Sequence, residues 1–418
     1  MNIFTDEKEI SMQLLLDGSV ILTNLLLITL CFFVYNNQNI QIFICDYYSI
    51  DYSTFEDGKF LCSGSDDNTI RVWDVETSKQ IGLFNGHSSE INCVKFSPYH
   101  YYKNNSNVIC SSSIDTTIRF WDVKCKHQLQ IFYTHINWAT GIEFSAFNGG
   151  RYLCSGSRDR TIHLCDVETS EALHVFNGHD ECVWCVDISP LQSNGNGDNN
   201  KCNGIGVIGG NGYTICSGSW DKTVRIWDIE TTKQLIVFRG HEDIVRRVKY
   251  GSNELGNTIL STSNDKSVRL WDIRSGQQIQ VFNGHKNGVN AVEYSPFVVN
   301  NIEIGSSSNV ICSGSWDNTI RFWDIRSNKN ELYIIKGDDK EDSGILCLIF
   351  LQLKKKGKNN EQKSNNTCGV NLYMDKNRFY FISNSFILKF ELFFLLSFYE
   401  CLLLMKKEIL LFKKKNNR

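Results

Sequence analysis

A 14-residue stretch recurs through the middle of the chain and limits the possible folds more than any other feature. Residues 216–229 read CSGSWDKTVRIWDI, and five other segments follow the same pattern: 62–75, 110–123, 154–167, 260–273 and 312–325. The Trp-Asp pair recurs after steps of 48, 44, 62, 44 and 52 residues, with Cys165 in the tryptophan position of the third copy. A period in the forties indicates a repeat protein whose units share a continuous core.

Each unit predicts four short β-strands. Runs such as Thr-Ile-Arg-Val-Trp-Asp alternate in polarity and are rich in β-branched residues, and the preceding Ser-x-Asp-x-Thr segment is typical of a tight turn. Most copies are preceded by a Gly-His pair, which lies between an apolar run and a second alternating run. Because a single four-stranded sheet cannot bury both faces, the units are expected to stack radially into a closed ring.

The Gly-His to Trp-Asp pattern resembles the WD40 repeat, and the resemblance covers residues 38–374. It implies an all-β fold, a seven-bladed β-propeller of four-stranded antiparallel blades. Six repeats are clear, and a degenerate last blade begins after Trp323. Residues 38–43 read QNIQIF and parallel QQIQVF at 277–282, so an N-terminal strand is expected to close the last blade.

The resemblance also implies a hydrogen-bonded tetrad of His, Ser, Asp and Trp that rigidifies each blade. The matching residues are His87, Ser111, Asp115 and Trp121; His179, Ser217, Asp221 and Trp227; His241, Ser261, Asp265 and Trp271; and His285, Ser313, Asp317 and Trp323. In the third unit Thr134 replaces glycine and Cys165 replaces tryptophan, so His135, Ser155 and Asp159 lack an indole partner. We expect that blade to be looser than the others.

The two ends of the chain do not follow the repeat. Residues 1–37 contain an apolar run that is shorter than the roughly 20 residues of a membrane span. They are interpreted as a docked helix or as sequence outside the native protein, with a membrane anchor as a further alternative. Residues 375–418 form an irregular tail rich in Lys, Phe and Leu.

Composition narrows the classes of function. The net charge of −3 gives no basic field for nucleic acid. Eight of the 16 cysteines recur at two equivalent repeat positions, which favours reduced packing residues over a disulfide framework. A cytoplasmic location is expected, with the nucleus as an alternative.

The sequence predicts neither an enzyme nor a cofactor or metal site. Histidine and aspartate recur in register with tryptophan, whereas a catalytic group occurs once per site. Cys182 and Cys185 have metal-like spacing, but residues three apart on a strand point to opposite faces. The chain also lacks a phosphate loop and a Gly-x-Ser-x-Gly nucleophile motif.

Positions that differ between the units predict a binding surface. In the WD40 family, the residue before the turn aspartate and the residue five after the histidine line the rim that often binds partners. Tryptophan and arginine dominate binding hot spots. The predicted partner-binding residues are Trp220, Trp316, Trp184, Arg158, Arg246, Asn264 and Asp66.

These features favour a non-catalytic scaffold that docks peptides or other proteins, in a multiprotein complex. One alternative is the recognition part of a larger nucleotide-binding signalling protein. A propeller enzyme or lectin fits less well, because it requires a single non-repeating cluster of acids and histidines. Fold alone does not decide between these functions.

Overall fold

The computed structural model describes residues 47–53, 55, 60–75, 77, 79–189, 213–251, 255–294, 309–326, 331–337, 344–353 and 369–374. Within these ranges, six antiparallel sheets have four strands each, and a further pair of strands follows. The predicted N-terminal strand at 38–43, the end segments 1–37 and 375–418, and residues 191–212 lie outside the described residues.

The six sheets are the blades of a β-propeller, and in each blade the strands are hydrogen-bonded in sequence order. Blade one contains β1 (Tyr47–Tyr52), β2 (Phe60–Ser65), β3 (Thr69–Asp74) and β4 (Lys79–Asn85). Blade two contains β5 (Ile91–Phe96), β6 (Val108–Ser113), β7 (Ile118–Asp122) and β8 (His127–Phe132), with the short helix α1 (Pro98–Asn104) after β5. Blade three contains β9 (Ala139–Phe144), β10 (Tyr152–Ser157), β11 (Thr161–Asp166) and β12 (Glu171–Asn177).

The remaining strands continue this order. Blade four contains β13 (Val183–Ile188), β14 (Thr214–Ser219), β15 (Thr223–Asp228) and β16 (Gln234–Arg239). Blade five contains β17 (Val245–Tyr250), β18 (Thr258–Ser263), β19 (Ser267–Asp272) and β20 (Gln277–Asn283). Blade six contains β21 (Val289–Tyr294), β22 (Val310–Ser315), β23 (Thr319–Asp324) and β24 (Tyr333–Lys336). The final pair is β25 (Leu348–Leu353) and β26 (Gly369–Met374).

The core lies between neighbouring blades rather than within any one of them. One buried cluster combines Ile162, Leu164 and Phe176 of blade three with Ile215 and Trp227 of blade four. The first strand of each blade contacts the first strands of its neighbours and is the inner strand. Stacking therefore buries the apolar faces that a lone four-stranded sheet would expose.

The turn between the second and third strands has the same backbone in all six blades. The residue after the turn aspartate adopts a left-handed conformation, with φ between 61° and 73°, at Asn68, Thr116, Arg160, Lys222, Lys266 and Asn318. The aspartate closes the turn itself, since the backbone N–H of Thr223 donates to Asp221 Oδ1 at 3.0 Å. Six turns of one geometry therefore emerge at one end of the blades, which we call the tight-turn face.

The repeated cysteines are packing residues. Eleven cysteines of the described chain are free, and ten of them are buried. Cys62, Cys110, Cys154, Cys216 and Cys312 have no exposed surface. Burial raises the pKa of these thiols well above the ordinary value, so they remain protonated.

The segment that leads into the final strand pair contacts two blades. Ile345 and Leu348 pack with Cys312 and Ile320 of blade six. Cys347 joins a cluster around Ile50 of blade one, whose carbonyl oxygen lies 4.0 Å from its sulfur. Among the described residues, no helix is both long enough and apolar enough to cross a membrane.

Candidate functional site

The His, Ser, Asp and Trp of each predicted tetrad come together in a directional chain of hydrogen bonds. In blade four, Trp227 Nε1 donates to Ser217 Oγ at 2.8 Å. Ser217 Oγ is 2.7 Å from His179 Nε2, and His179 Nδ1 is 2.7 Å from Asp221 Oδ2. Because an indole only donates and a carboxylate only accepts, the serine must donate to Nε2 and the histidine must carry its proton on Nδ1.

The same chain is present in blades two, five and six. There the corresponding three distances lie between 2.7 and 2.9 Å for His87, His241 and His285 with their partners. Burial lowers the pKa of His87, His179 and His241, although the nearby aspartate opposes this effect. Burial would raise the pKa of Asp115, but hydrogen bonds from His87 and Thr117 outweigh it and hold that pKa well below its usual value.

The glycine of each Gly-His pair makes room for the indole. A Cβ atom at Gly86, Gly178, Gly240 or Gly284 would lie 2.8–3.0 Å from the Cη2 atom of the tryptophan in the same tetrad. Carbon atoms at that distance overlap, so a side chain there would force the indole to move. Glycine and tryptophan are therefore a matched pair in these four blades.

Blade three differs at three positions of this unit together. Thr134 occupies the glycine position, Cys165 the tryptophan position, and His163 the position that is arginine in the other five copies. His135 still lies 2.9 Å from both Ser155 Oγ and Asp159 Oδ2. Cys165 has no exposed surface. The expected looseness of this blade stays a prediction.

Blade one has the serine and tryptophan but no described histidine partner. Trp73 Nε1 donates to Ser63 Oγ at 3.1 Å. The side chain of Asp67 is 44% exposed, compared with 5% for Asp221 in blade four. No histidine occurs in the sequence before His87, which explains why this copy has no matching His.

Five of the seven predicted partner-binding residues form one continuous row on the tight-turn face. The guanidinium carbon of Arg158 lies 6.0 Å from the ring centroid of Trp220, and the rings of Trp220 and Trp184 stack at 5.9 Å and 30°. Arg246 then lies 5.4 Å from Trp184 and 5.1 Å from Trp316. Cations over aromatic faces attract the ring quadrupole, so these contacts hold the side chains in position.

Trp138 extends this row, and the sequence analysis did not select it. The Arg158 guanidinium lies 4.0 Å from its ring centroid, closer than to any other indole in the row. Trp138 stands three residues after His135, so a search over the whole loop that follows each histidine would have found it. We call the complete row the rim ladder, with members Trp138, Arg158, Trp220, Trp184, Arg246 and Trp316.

The other two predicted residues have different positions. Asn264 supports the ladder, because its Oδ1 accepts a hydrogen bond from Arg246 Nε at 2.8 Å. Asp66 is exposed on the tight turn of blade one and is not part of the ladder. The surface is therefore concentrated on blades three to six.

A cavity of about 390 Å³ opens beside the ladder, lined in part by Ile136, Arg158, Glu181, Cys182 and Trp220. Ile136 is 92% exposed and Arg158 is also exposed. Within the described residues Arg158 forms no ion pair with a carboxylate. An exposed cation next to stacked indoles is a site that can receive a carboxylate from a partner.

Cys182 and Cys185 lie in separate surroundings. Cys182 precedes β13 and lines the cavity, whereas Cys185 packs in the core with Val224 and Val248. Burial raises the pKa of both thiols to about 12, although Arg158 partly opposes this at Cys182. Both thiols are therefore protonated at neutral pH.

The inner strands carry charged residues that the sequence analysis also missed. One such residue lies at the same register in each blade: Asp51, Lys95, Glu143, Asp187, Lys249 and Glu293. Lys95 pairs with Glu143 of the next blade at 2.8 Å, and Lys249 pairs with Glu293 at 2.9 Å. Between these pairs, burial and the nearby Glu143 raise the pKa of Asp187 to about 6. A charged residue at one fixed position of every inner strand was the available sequence signal.

Comparison with known proteins agrees with this architecture. The WD domain, G-beta repeat family model matches residues 48–74, 78–122, 170–228, 232–272 and 276–324, which is more than half of the chain. The unmatched interval between the second and third of these segments contains most of blade three. This interval includes the substituted positions Thr134, His163 and Cys165.

Similar proteins include components of several different assemblies. Coatomer subunit beta'-1 of Arabidopsis thaliana is 39% identical over 12% of this chain and 5% of its own length. Transcription initiation factor TFIID subunit 5 of Caenorhabditis elegans is 46% identical over 9% of this chain and 6% of its own length. Methylosome protein WDR77 of Xenopus laevis is 41% identical over 11% of this chain and 14% of its own length.

The similarity to these relatives is therefore confined to about one repeat, and the matched part is a small share of each relative. The family model extends much further, over five segments, four of which run from the last strand of one blade through the first three strands of the next. The predicted resemblance is confirmed, and the chain belongs to the WD40 family of WD domain, G-beta repeat proteins.

Proposed function

We propose that this protein is a non-catalytic scaffold that docks an acidic protein segment on the rim ladder. The observation that carries the proposal is the continuous contact from Trp138 to Trp316. The row crosses four blades, so it presents one binding surface rather than several separate side chains. The buried free cysteines favour a reducing compartment such as the cytoplasm.

The chemistry of the ladder supports this choice of partner. Its indoles supply large contact area with few rotatable bonds, which lowers the entropy cost of binding. Arg158 rests on indole faces and forms no ion pair with a carboxylate among the described residues, so the edge of its guanidinium can receive a carboxylate of a partner. Nothing in the repeat requires tryptophan at these positions, because other blades have Asp66 or Ile114 at the position of Trp220.

The named relatives support a role in complexes. Two are called subunits, of coatomer and of TFIID, and a third is called a methylosome protein. Scaffold function is therefore compatible with the family, while the identity of the partner depends on the ladder of this chain.

The double substitution Trp220→Ala/Trp316→Ala should remove partner binding with little change in stability. Removing hot-spot tryptophans typically weakens binding by 2 kcal/mol or more, which is roughly 30-fold. Trp316 is 38% exposed, so its loss leaves no core cavity. Quantitative affinity capture from reduced cytoplasmic extract, compared with the wild type by mass spectrometry, measures the effect.

A matched control replaces Tyr102 on α1, which is 69% exposed at the end of the blades opposite the tight turns. Tyr102→Ala should capture the same proteins as the wild type, and Arg158→Glu should lose those that carry acidic segments. Capture of an identical set of proteins by the Trp220→Ala/Trp316→Ala variant, with unchanged circular dichroism, would rule out the ladder as the docking site.

We further propose that the final strand pair and the segment at 38–43 form a seventh blade that closes the ring. The support is that Ile345, just before β25, packs on blade six, and Cys347 packs on blade one. A strand contributed by the N-terminus would pair with the outer side of this blade, as its likeness to residues 277–282 suggests.

Two truncations test the closure. Deletion of residues 1–37 should leave the urea midpoint of unfolding unchanged, whereas deletion of residues 1–46 should lower it clearly, because an unpaired edge then remains. Equal midpoints for the two truncated proteins would show that residues 38–46 do not close the ring.

A further inference from the structure

We propose that blade three binds a divalent transition-metal ion, with Zn²⁺ as the best fit, through His135, Asp159 and His163. One ligand atom from each residue lies within 4.8 Å of the other two. The two imidazole ring centroids are 4.3 Å apart. The three residues come from the loop before β9, the tight turn, and β11, so an ion would link three separate segments of the blade.

The site arises where the repeat has lost its arginine. His163 lies opposite Ser155, just as Arg225 lies opposite Ser217 in blade four. Arg225 forms an ion pair with Asp221 at 3.0 Å, and equivalent pairs occur at Arg119 and Arg269. A positive charge beside the turn aspartate is therefore normal in this fold, and blade three lacks the guanidinium that supplies it.

His163 does not replace that interaction with another hydrogen bond. Its Nδ1 atom is buried and has no hydrogen-bond partner among the residues that the structure describes. A buried nitrogen without a partner destabilises the folded state. Coordination of an ion would use this lone pair and restore the missing positive charge next to Asp159.

The missing indole also frees His135 to become a ligand. In the complete tetrads the indole donates to the serine, the serine donates to Nε2, and Nδ1 is therefore protonated. Cys165 cannot donate in the same way, so Ser155 Oγ, 2.9 Å from His135 Nε2, can instead accept a hydrogen bond from the N–H at that position. Nδ1 then offers its lone pair to the ion, and Ser155 orients the ring, as outer-shell partners do for metal-ligating histidines.

The ligand set favours zinc over harder ions. Two imidazole nitrogens and one carboxylate oxygen match zinc sites that keep a fourth position for water, whereas Mg²⁺ and Ca²⁺ prefer oxygen ligands. Tetrahedral bonds of about 2.0–2.1 Å separate ligand atoms by roughly 3.3 Å. His135 Nδ1 and Asp159 Oδ2, now 2.9 Å apart, need to separate by only a few tenths of an ångström.

The first experiment titrates the purified full chain with Zn²⁺ in competition with a chromophoric chelator, and repeats the titration with Co²⁺. We expect one site that binds both ions. Its Co²⁺ spectrum should show ligand-field bands without thiolate charge transfer, because the ligands are nitrogen and oxygen. A saturating ion should also raise the melting temperature, since it binds the folded state.

Three variants make the assignment specific. His163→Arg restores the residue of the other blades and should weaken binding at least tenfold while the protein remains folded, and His163→Gln should do the same without adding a charge. His127→Arg removes an exposed histidine on β8 and should leave the titration unchanged.

The proposal is overturned if His163→Arg and His163→Gln bind Zn²⁺ with wild-type affinity and stoichiometry. Thiolate charge transfer in the Co²⁺ spectrum would equally overturn it, since cysteine would then be the ligand. These results are independent of partner capture, so the scaffold proposal can stand or fail separately.

Discussion

Replacing Trp271 with alanine should lower the free energy of unfolding by about 3–5 kcal/mol. The indole is 2% exposed, packs 5.1 Å from the ring of Phe238, and donates to Ser261 at 2.8 Å. Its removal leaves a cavity between blades four and five and takes away the donor that fixes the hydrogen-bond direction through His241. Urea denaturation monitored by circular dichroism measures the loss.

Two companion variants separate packing from hydrogen bonding. Trp271→Phe keeps much of the apolar volume but loses the N–H group, so it should cost less than Trp271→Ala. Trp316→Ala removes an indole of the same size from the surface and should change the midpoint little. An unchanged midpoint for Trp271→Ala would show that the tetrad does not stabilise the blade.

The sequence was sufficient to predict the blades because their pattern is local. The turn aspartate lies six residues before the tryptophan position in every copy, a Gly-His pair precedes most copies, and the strands alternate in polarity. The tetrads followed from the resemblance, and the structure brings the same residues within hydrogen-bonding distance. Each of these contacts lies within one repeated unit. The same contacts can therefore be predicted from every copy that has the four residues.

Contacts between blades were harder to predict. The rim ladder depends on which indole of one blade reaches the arginine of the next. The spacing of residues along the chain does not give the distance between side chains of neighbouring blades. The ion pair between Lys95 and Glu143 was missed for this reason. Asp66 was selected by position alone, although its blade supplies no indole to the ladder.

Blade three shows a different reason for an incomplete prediction. From the replacements at Thr134 and Cys165 alone, a looser blade was expected. Four blades have glycine at the position of Thr134, because an indole lies against the backbone there. In blade three Cys165 replaces that indole, which leaves room for the threonine side chain. The larger side chain at residue 134 offsets the smaller one at residue 165. His163 is a third change in the same region, and comparing the repeats one position at a time does not connect the three.

This compensation predicts a strong coupling between residues 134 and 165. Cys165→Trp alone should destabilise the protein by about 3 kcal/mol, at the upper end of the range for overpacking, because the new indole would overlap the side chain of Thr134. Thr134→Gly alone should cost about 1 kcal/mol through lost packing and greater chain entropy. The double variant should recover most of the loss, giving a coupling energy of about 2–3 kcal/mol in urea denaturation of all four proteins.

Blade four supplies the reverse control. Gly178→Thr should be destabilising there, because Trp227 lies 2.9 Å from the position of the added Cβ. Additive effects in blade three would contradict the matched-pair explanation.

The double variant has a second consequence, because the restored indole should donate to Ser155 and return the His135 proton to Nδ1. Zn²⁺ affinity should then fall although His135, Asp159 and His163 are all intact, which distinguishes control of the histidine tautomer from simple loss of a ligand.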